Sequence, residues 1–422
     1  MPIPHLQHKR KYFARTRGVL TLVLASFLCC PHSSTAASEE DVPGKALGYP
    51  TGPPLAESGE QFRVGTFSRM DQLFPSNKVR KGVSTLPFTK AKQEPHITYE
   101  INGSVLTVDD YLRRNRVSGL LVIKDDCILV ERYRYDRKDT DKFVSNSIAK
   151  SITSLAVGLA LQDGAISSLD DKAAKYVPEL KGSAYGQTTI RNLLRMSSGV
   201  PFSEDYSGND DLTSFVRTLA TTGAVETLKQ FRVRTVPEGT KFSYASSEAL
   251  TLGLVVRAST GKALSDYISE RLWQPMGAES DATWVIDSKG VEWSFAKFNA
   301  VLRDYGRLGR LLANDGVLHG RKILPRDYLI EATDWHKHPE AFRPGHATAD
   351  LGYGYQFWIF PGEKRRFALV GIFGQLIYVD PALKLVIVQT AVAKKPSSAE
   401  MWREFGALIQ GIKTIYEKAS CS

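Results

Sequence analysis

The order of strand and helix patterns along the chain is the feature that most restricts its fold. Apolar residues flanking a short turn predict a β-hairpin at residues 119–133, and clear strand patterns return only between 353 and 393. Helical spacing dominates from 147 to about 335, and an amphipathic helix is predicted at 399–416. We therefore expect an α+β fold, in which an antiparallel sheet built from both ends of the chain is flanked by helices and carries a helical subdomain.

This pattern divides the chain into three predicted segments. They are a signal peptide at 1–37, an extended lead-in rich in Pro, Gly and charge at 38–95, and a catalytic domain at 96–418, with its sheet part at about 96–146 and 340–418 and its helical part at about 147–339.

The first segment has the composition of a secretory signal. Five Lys or Arg residues precede an apolar run at 19–30, which is too short to cross a bilayer comfortably, and small residues follow it. We expect cleavage after Ala36 or Ala37, a secreted or periplasmic location, and no transmembrane segment in the mature chain.

A lipoprotein is the less favoured alternative. Cys29 and Cys30 end the apolar run, but the bulky Phe27 and Leu28 occupy positions where small residues are expected before a lipidated cysteine.

Removal of the signal peptide also changes the charge and the cysteine content. The formal net charge falls from +10 to +5, because the leader holds five basic and no acidic residues. No basic run favours nucleic-acid binding. Cys127 and Cys421 are the cysteines left in the mature chain. We interpret Cys127 as an unpaired core residue, and the alternative is a disulfide between Cys127 and Cys421.

A polar pair at the start of an apolar helical run is the strongest chemical signal. Ser147 and Lys150 are three residues apart, so a helix places the hydroxyl beside the amine, and a desolvated lysine can act as a base near neutral pH. The same spacing recurs at 259–262 and 294–297. Gly261 marks a helix end in the first repeat and the hydroxyl of the second can cap a helix, so both are interpreted as structural.

Two further elements follow in the chain. Tyr244 and Ser246 stand at a turn that precedes a helix, and a tyrosine beside a lysine can pass a proton to a leaving group. Gly371 ends an apolar strand before a glycine-broken turn, where the missing side chain lets a substrate approach the backbone.

Together these motifs resemble the serine β-lactamase and penicillin-binding superfamily, in particular its branch of esterases and 6-aminohexanoate-dimer hydrolases. The resemblance covers roughly residues 95–415 and rests on the Ser147–Lys150 pair, on 244–246 and on 369–371. It implies the β-lactamase-like fold and a cleft between its two parts.

The resemblance also implies the role of each catalytic residue. Ser147 would attack a carbonyl carbon, Lys150 would accept or relay its proton, and Tyr244 would act as general base and then as general acid. The backbone N–H groups of Ser147 and Ile372 would form the oxyanion hole.

Departures from the superfamily pattern indicate the substrate class. Ser246 replaces the asparagine of β-lactam-binding relatives, and Leu369 and Val370 replace a Lys or His followed by Thr or Ser. Because two apolar side chains cannot bind a substrate carboxylate, we expect a carboxylic ester or linear amide as substrate rather than a β-lactam or a cell-wall peptide.

Substrate contacts are predicted for Tyr206, Ser246 and Gly371. In amide-hydrolysing relatives the loop at 201–211 contributes an aromatic residue and a carboxylate, which implies that Tyr206 contacts the leaving group. A polar surface loop is the alternative for this segment.

Other hydrolase and cofactor signatures are absent from the sequence. It contains no G-x-S-x-G, H-E-x-x-H, C-x-x-C, P-loop or dinucleotide motif. His336 and His338 are interpreted as a solvated loop rather than a metal site. We predict no cofactor and no metal.

The sequence thus predicts a secreted serine hydrolase that forms an acyl-enzyme on Ser147. The alternatives are a β-lactamase or DD-peptidase, and a catalytically inactive homologue that only binds. The oligomeric state stays open.

Overall fold

The computed structural model describes residues 42–53, 58–416, 419 and 421. The predicted signal peptide at 1–37 lies outside the described residues. The predicted boundaries of the lead-in and of the catalytic domain stay a prediction.

The described residues form sixteen strands and twelve α-helices. The strands are β1 (Ser76–Val79), β2 (Thr89–Lys90), β3 (Thr98–Ile101), β4 (Ser104–Thr107), β5 (Val117–Lys124), β6 (Cys127–Tyr133), β7 (Lys142–Val144), β8 (Ala282–Val285), β9 (Phe298–Val301), β10 (Val317–Leu318), β11 (Arg321–Lys322), β12 (Gly352–Tyr353), β13 (Trp358–Ile359), β14 (Phe367–Gly371), β15 (Gln375–Asp380) and β16 (Leu385–Ala391). The helices are α1 (Arg63–Ser68), α2 (Met70–Leu73), α3 (Val108–Arg114), α4 (Ile148–Gln162), α5 (Ile190–Leu194), α6 (Asp211–Thr222), α7 (Ala224–Leu228), α8 (Ser246–Thr260), α9 (Leu264–Ile268), α10 (Leu302–Ala313), α11 (Arg326–Thr333) and α12 (Ala399–Tyr416).

The main sheet joins the two ends of the chain, as the strand pattern predicts. Its order is β12-β13-β14-β15-β16-β5-β6-β2, and every pair is antiparallel except β2 with β6. The C-terminal strand β16 lies directly beside the N-terminal strand β5, with Ile387 opposite Val122. The predicted α+β layout, with a sheet built from both ends of the chain, is confirmed.

Alternate residues of the central strands supply two separate cores. Leu121 and Val388 belong to the larger core, on the face against which α10 packs. Val122 and Ile387 point to the opposite face, where α12, α3 and the β3–β4 hairpin pack. The two-residue period of a strand therefore buries both faces of this sheet.

A helix lies unusually close to the sheet at α10. A Cβ atom on Gly309 would lie 2.3 Å from Val386 Cγ1, and one on Gly306 would lie 2.6 Å from Leu121 Cδ2. Glycine at these two positions therefore lets the helix backbone approach the strands more closely than any side chain would allow.

Within the predicted helical region, α4 is the central helix. Its residues from Ile148 to Ala160 are buried, and it packs against α8 on one side and against β14 and β15 on another. Four short strands interrupt this region: β8 and β9 belong to a second sheet of order β1-β8-β9-β7, and β10 pairs with β11. Helix α4 begins four residues after the end of β7 in this second sheet and packs against β14 and β15 of the main sheet.

The lead-in contributes to the core as well as to the surface. Strand β1 pairs with β8 and β2 pairs with β6, while Val64, Phe67 and Met70 are buried in the larger core.

A disulfide attaches the end of the chain to the main sheet. Cys127 of β6 is bonded to Cys421, with their Cα atoms 5.8 Å apart. This outcome selects the alternative in which both cysteines of the mature chain are paired.

No helix among the described residues has both the length and the apolar character that crossing a bilayer requires.

Candidate active site

Ser147 lies in the short segment that connects β7 of the second sheet to α4. Strand β7 pairs with β9, and Ser145 N–H donates to the carbonyl of Phe298 at 2.7 Å, so the segment before Ser147 is fixed. Asn146 adopts a left-handed backbone (φ 44°), which turns the chain into the helix. Ser147 does not cap α4 with its side chain, so its hydroxyl remains available for other contacts.

The amine of Lys150 contacts this hydroxyl directly. Lys150 Nζ donates to Ser147 Oγ at 2.8 Å and to the carbonyl of Phe295 at 3.1 Å. The Lys150 side chain is only 1% exposed. Burial lowers the pKa of Lys150 from its ordinary value to about 8, although the charge of Glu204 opposes this shift. A sizeable fraction of the amine is therefore neutral near pH 7 to 8 and can accept a proton.

Tyr244 completes a three-residue cluster. It lies two residues before α8 with its hydroxyl close to that of Ser147, and Lys150 Nζ lies 4.8 Å from the centre of its ring. Trp358 stacks on the same ring at 5.7 Å. Burial and the charge of Glu204 raise the pKa of Tyr244 well above its ordinary value, so its hydroxyl is protonated at neutral pH.

The two backbone N–H groups predicted for the oxyanion hole belong to adjacent segments. A Cβ atom on Gly371 would lie 2.3 Å from the Ser145 carbonyl oxygen and 3.0 Å from Ser147 N, so strand β14 reaches the nucleophile only because residue 371 is glycine. Asn146 Nδ2 donates to the carbonyl of Ile372 at 3.0 Å, which fixes that peptide. Across the described ranges, neither the Ser147 nor the Ile372 N–H donates to a protein acceptor.

A cavity of about 900 Å³ opens above these groups. Its wall is mainly apolar and aromatic, with a few charged residues. The residues that line it include Ser147, Glu204, Tyr206, Tyr244, Asp350, Trp358, Phe360, Val370, Gly371, Ile372, Met401, Trp402 and Arg403.

The substrate-contact residues fall into two groups. Tyr206 and Gly371 line the cavity, whereas Ser246 is buried behind it at 1% exposure. Of the two apolar residues in the third motif, Val370 lines the cavity and Leu369 is fully buried in the core.

Glu204 is a site residue that the sequence analysis did not single out. Its carboxylate accepts from the Tyr206 hydroxyl at 3.0 Å and from the Ser246 N–H, the first of α8, at 2.9 Å. The Ser246 contact to the site therefore runs through its backbone. The loop at 201–211 contained the signal, because a carboxylate two residues before the aromatic can reach a helix N-terminus.

The two repeats of the Ser–Lys spacing have other partners. Ser259 Oγ donates to the carbonyl of Val256, and Lys262 pairs with Glu270. Ser294 Oγ donates to the carbonyl of Ala249 at 2.9 Å. Neither serine contacts the lysine of its own motif in the described part of the chain.

The histidine pair is split between two environments. His336 is exposed and its ring contacts the carboxylate of Asp334, which is consistent with the predicted solvated loop. His338 is buried at 1% exposure, and burial lowers its pKa to about 4, so a solvated loop is wrong for this residue. Over the described ranges, no group of three or more His, Cys, Asp or Glu side chains is arranged to hold a metal ion.

Comparison with known proteins identifies the family of the chain. The Beta-lactamase family profile matches residues 107–410. The chain is 24% identical to the 6-aminohexanoate-dimer hydrolase of Paenarthrobacter ureafaciens over 375 residues, which cover 86% of this chain and 94% of that protein.

Solved structures give the same result. A candidate 6-aminohexanoate-dimer hydrolase from Bacillus anthracis superposes with a TM-score of 0.78 at 25% identity, covering 86% of this chain and 96% of that chain. A penicillin-binding protein from Bacillus halodurans shares the fold at a TM-score of 0.55 and 17% identity, covering 73% of this chain and 99% of that chain. The chain belongs to the beta-lactamase family, and it is a hydrolase of the serine β-lactamase-like type.

Gly371→Ala tests the close approach of β14 to Ser147. Because the added Cβ would overlap the Ser145 carbonyl oxygen, we expect a loss of about 1–3 kcal/mol in the free energy of unfolding, measured by urea denaturation. Gly406→Ala is the matched control, since a Cβ there meets no atom within 4 Å and alanine favours the helix. Equal stability of Gly371→Ala and the parent protein would contradict the packing described.

Proposed function

We propose that this hydrolase cleaves a carboxylic ester or a linear amide through an acyl-enzyme on Ser147, with Lys150 and Tyr244 as base and acid. The observation that carries the proposal is the 2.8 Å hydrogen bond between Ser147 Oγ and a buried amine whose pKa is lowered to about 8. A serine hydroxyl is a weak nucleophile, and an adjacent base is what activates it.

The two pKa shifts divide the proton transfers between the side chains. Neutral Lys150 accepts the Ser147 proton as the oxygen attacks the substrate carbonyl carbon. Tyr244 stays protonated at neutral pH, so it is suited to donate a proton to the leaving oxygen or nitrogen and to recover one from Lys150. Water then attacks the acyl-enzyme by the reverse sequence of proton transfers.

The negative charge that develops on the carbonyl oxygen needs two donors. The N–H groups of Ser147 and Ile372 supply them, because each lacks a protein acceptor among the described residues. Preorganised donors of this kind are worth about 10²–10³ in rate apiece.

The cavity wall supports the ester or linear amide class. Val370 and Trp358 present apolar surface in the cavity that contains Ser147, and Leu369 and Val370 supply neither the charge nor the hydroxyl that would bind a β-lactam carboxylate. Arg403, a cation in the cavity wall, lies on α12 rather than on β14. Glu204 and Tyr206 lie beside Tyr244, where a leaving amine or alcohol would depart. The relative from Paenarthrobacter is named a 6-aminohexanoate-dimer hydrolase, and this name supports a linear amide as the substrate.

We also propose that the enzyme works outside the cytoplasm, as a secreted or periplasmic protein. The predicted signal at 1–37 and the disulfide between Cys127 and Cys421 support this, because structural disulfides persist in oxidising compartments.

Intact mass and thiol labelling of the protein recovered from the periplasm or medium test the location. We expect a chain that begins at Ala37 or Ser38 and has no free thiol until it is reduced. A chain that keeps Cys29 or Cys30 with a lipid, or one that stays uncleaved in the cytoplasm, would contradict the proposal.

Fluorophosphonate labelling tests the nucleophile. Because the reagent phosphonylates an activated serine, we expect one adduct on the parent protein and none on Ser147→Ala, measured by intact mass. Ser259→Ala is the control, since it removes the serine of a repeat that lies outside the site, and it should label fully. No adduct and no turnover of p-nitrophenyl esters would instead favour an inactive binding homologue, and faster turnover of β-lactams than of esters would favour the β-lactamase alternative.

The pH dependence tests the base. Attack requires neutral Lys150, and its folded pKa is lowered to about 8, so kcat/KM for a non-ionising ester should rise as pH increases and level off above about 8. Lys262→Met should leave this profile unchanged, because Lys262 pairs with Glu270 at the surface. A profile that is flat from pH 6 to 9 would show that Lys150 is not the group that titrates.

A further inference from the structure

The turn that carries the second oxyanion donor has an unfavourable backbone. Three residues, Ile372, Phe373 and Gly374, connect β14 to β15, and the last two have positive φ values of 63° and 87°. Positive φ is uncommon outside glycine and favours Asn or Asp among the other residues, so a bulky phenylalanine is strained at this position. Phe373 must therefore be held in place by its surroundings.

Contacts to the Phe373 ring come from the lead-in helix α1. The guanidinium of Arg63 lies 4.0 Å from the centre of the ring, and the ring of Phe67 lies 5.8 Å from it. The Phe373 backbone is fixed by the segment after β16: its N–H donates to Pro396 at 2.8 Å, and its carbonyl accepts from Ala393 N–H at 3.2 Å.

Arg63 is itself fixed by three hydrogen bonds to two carbonyl groups. Its Nη1 donates to the carbonyl of Ala393, and its Nε and Nη2 donate to the carbonyl of Ser58 at 3.2 Å and 3.0 Å. The side chain is 6% exposed. The guanidinium thus joins the lead-in, the segment after β16 and the ring of Phe373 into one unit.

We propose that Arg63, assisted by Phe67, is a positioning residue that holds the turn at 372–374 so that the Ile372 N–H faces the nucleophile. Asn146 fixes the same turn from the opposite side through the Ile372 carbonyl. The proposal rests on the proposed function, because it assigns the Ile372 N–H to the oxyanion hole. It gives the lead-in, which lies outside the family match at 107–410, a part in catalysis.

The kinetic test uses Arg63→Met, which keeps the length of the side chain and removes its hydrogen bonds and charge. We expect kcat for a p-nitrophenyl ester to fall about 10- to 100-fold, because a misplaced oxyanion donor weakens transition-state binding. KM should change by less than about threefold, since Arg63 lies away from the cavity wall. Arg69→Met is the matched control: Arg69 donates to the carbonyl of Tyr49 within the lead-in, and its removal should leave kcat near that of the parent.

Hydrogen exchange provides a readout that does not depend on turnover. In Arg63→Met the amide of Phe373, which donates to the Pro396 carbonyl, should exchange at least about tenfold faster than in the parent, while Arg69→Met should not change it. Unchanged exchange in the turn would overturn the proposal, as would an unchanged kcat in an active background. If the parent protein forms no acyl-enzyme, the proposed function fails, and the exchange rates still decide whether Arg63 holds the turn.

A second variant keeps the test decisive if Arg63→Met does not fold. Phe67→Leu keeps the position apolar but removes the ring contact to Phe373, so it should show the same changes to a smaller extent. If Arg63→Met does not fold, Phe67→Leu decides, and parent-like exchange and kcat in Phe67→Leu would overturn the proposal.

Discussion

The site depends on excluding water from the amine of Lys150. The amine is buried at the first turn of α4 and contacts a hydroxyl and a carbonyl, and no carboxylate of the described residues forms an ion pair with it. A carboxylate in contact would hold the proton and raise the lysine pKa, whereas burial lowers it. Glu204 is the charge that opposes this effect, and its carboxylate is bound to Tyr206 and the N-terminus of α8 rather than to the amine.

The fold supplies the partners that this buried lysine requires. Ser147, the residue before α4, supplies the hydroxyl, and Phe295, in the segment that leads into β9, supplies the carbonyl. The aromatic ring that covers the amine belongs to Tyr244, two residues before α8. Strand β14 from the C-terminal part of the chain then lies beside Ser147 through Gly371. Residues more than 200 positions apart therefore meet within one cavity because the sheet pairs the two ends of the chain.

The sequence predicts those parts of the structure that have a local pattern. The Ser147–Lys150 spacing follows from the helix repeat, the hairpin of β5 and β6 from its alternation, and the layout from strands at both ends of the chain. The short strands β8 and β9 were not predicted, since runs of four residues inside a helical region carry little signal.

Long-range contacts explain the rest of what the sequence does not show. Glu204, the Phe295 carbonyl and Arg63 make contacts across 42 to 330 residues, so no spacing rule identifies them. His338 also differs from its neighbour His336 only through tertiary burial. Each of these contacts can be explained once the fold is known, but no periodic pattern in the sequence indicates which residues make them.

The crystal structure of the fluorophosphonate adduct would test the central claim most directly. We predict a covalent bond from Ser147 Oγ to phosphorus, with the phosphoryl oxygen about 2.7–3.1 Å from both the Ser147 and Ile372 nitrogens. Lys150 Nζ should remain within hydrogen-bond distance of Ser147 Oγ. An adduct on another residue, or a phosphoryl oxygen that points to solvent away from both N–H groups, would contradict the account.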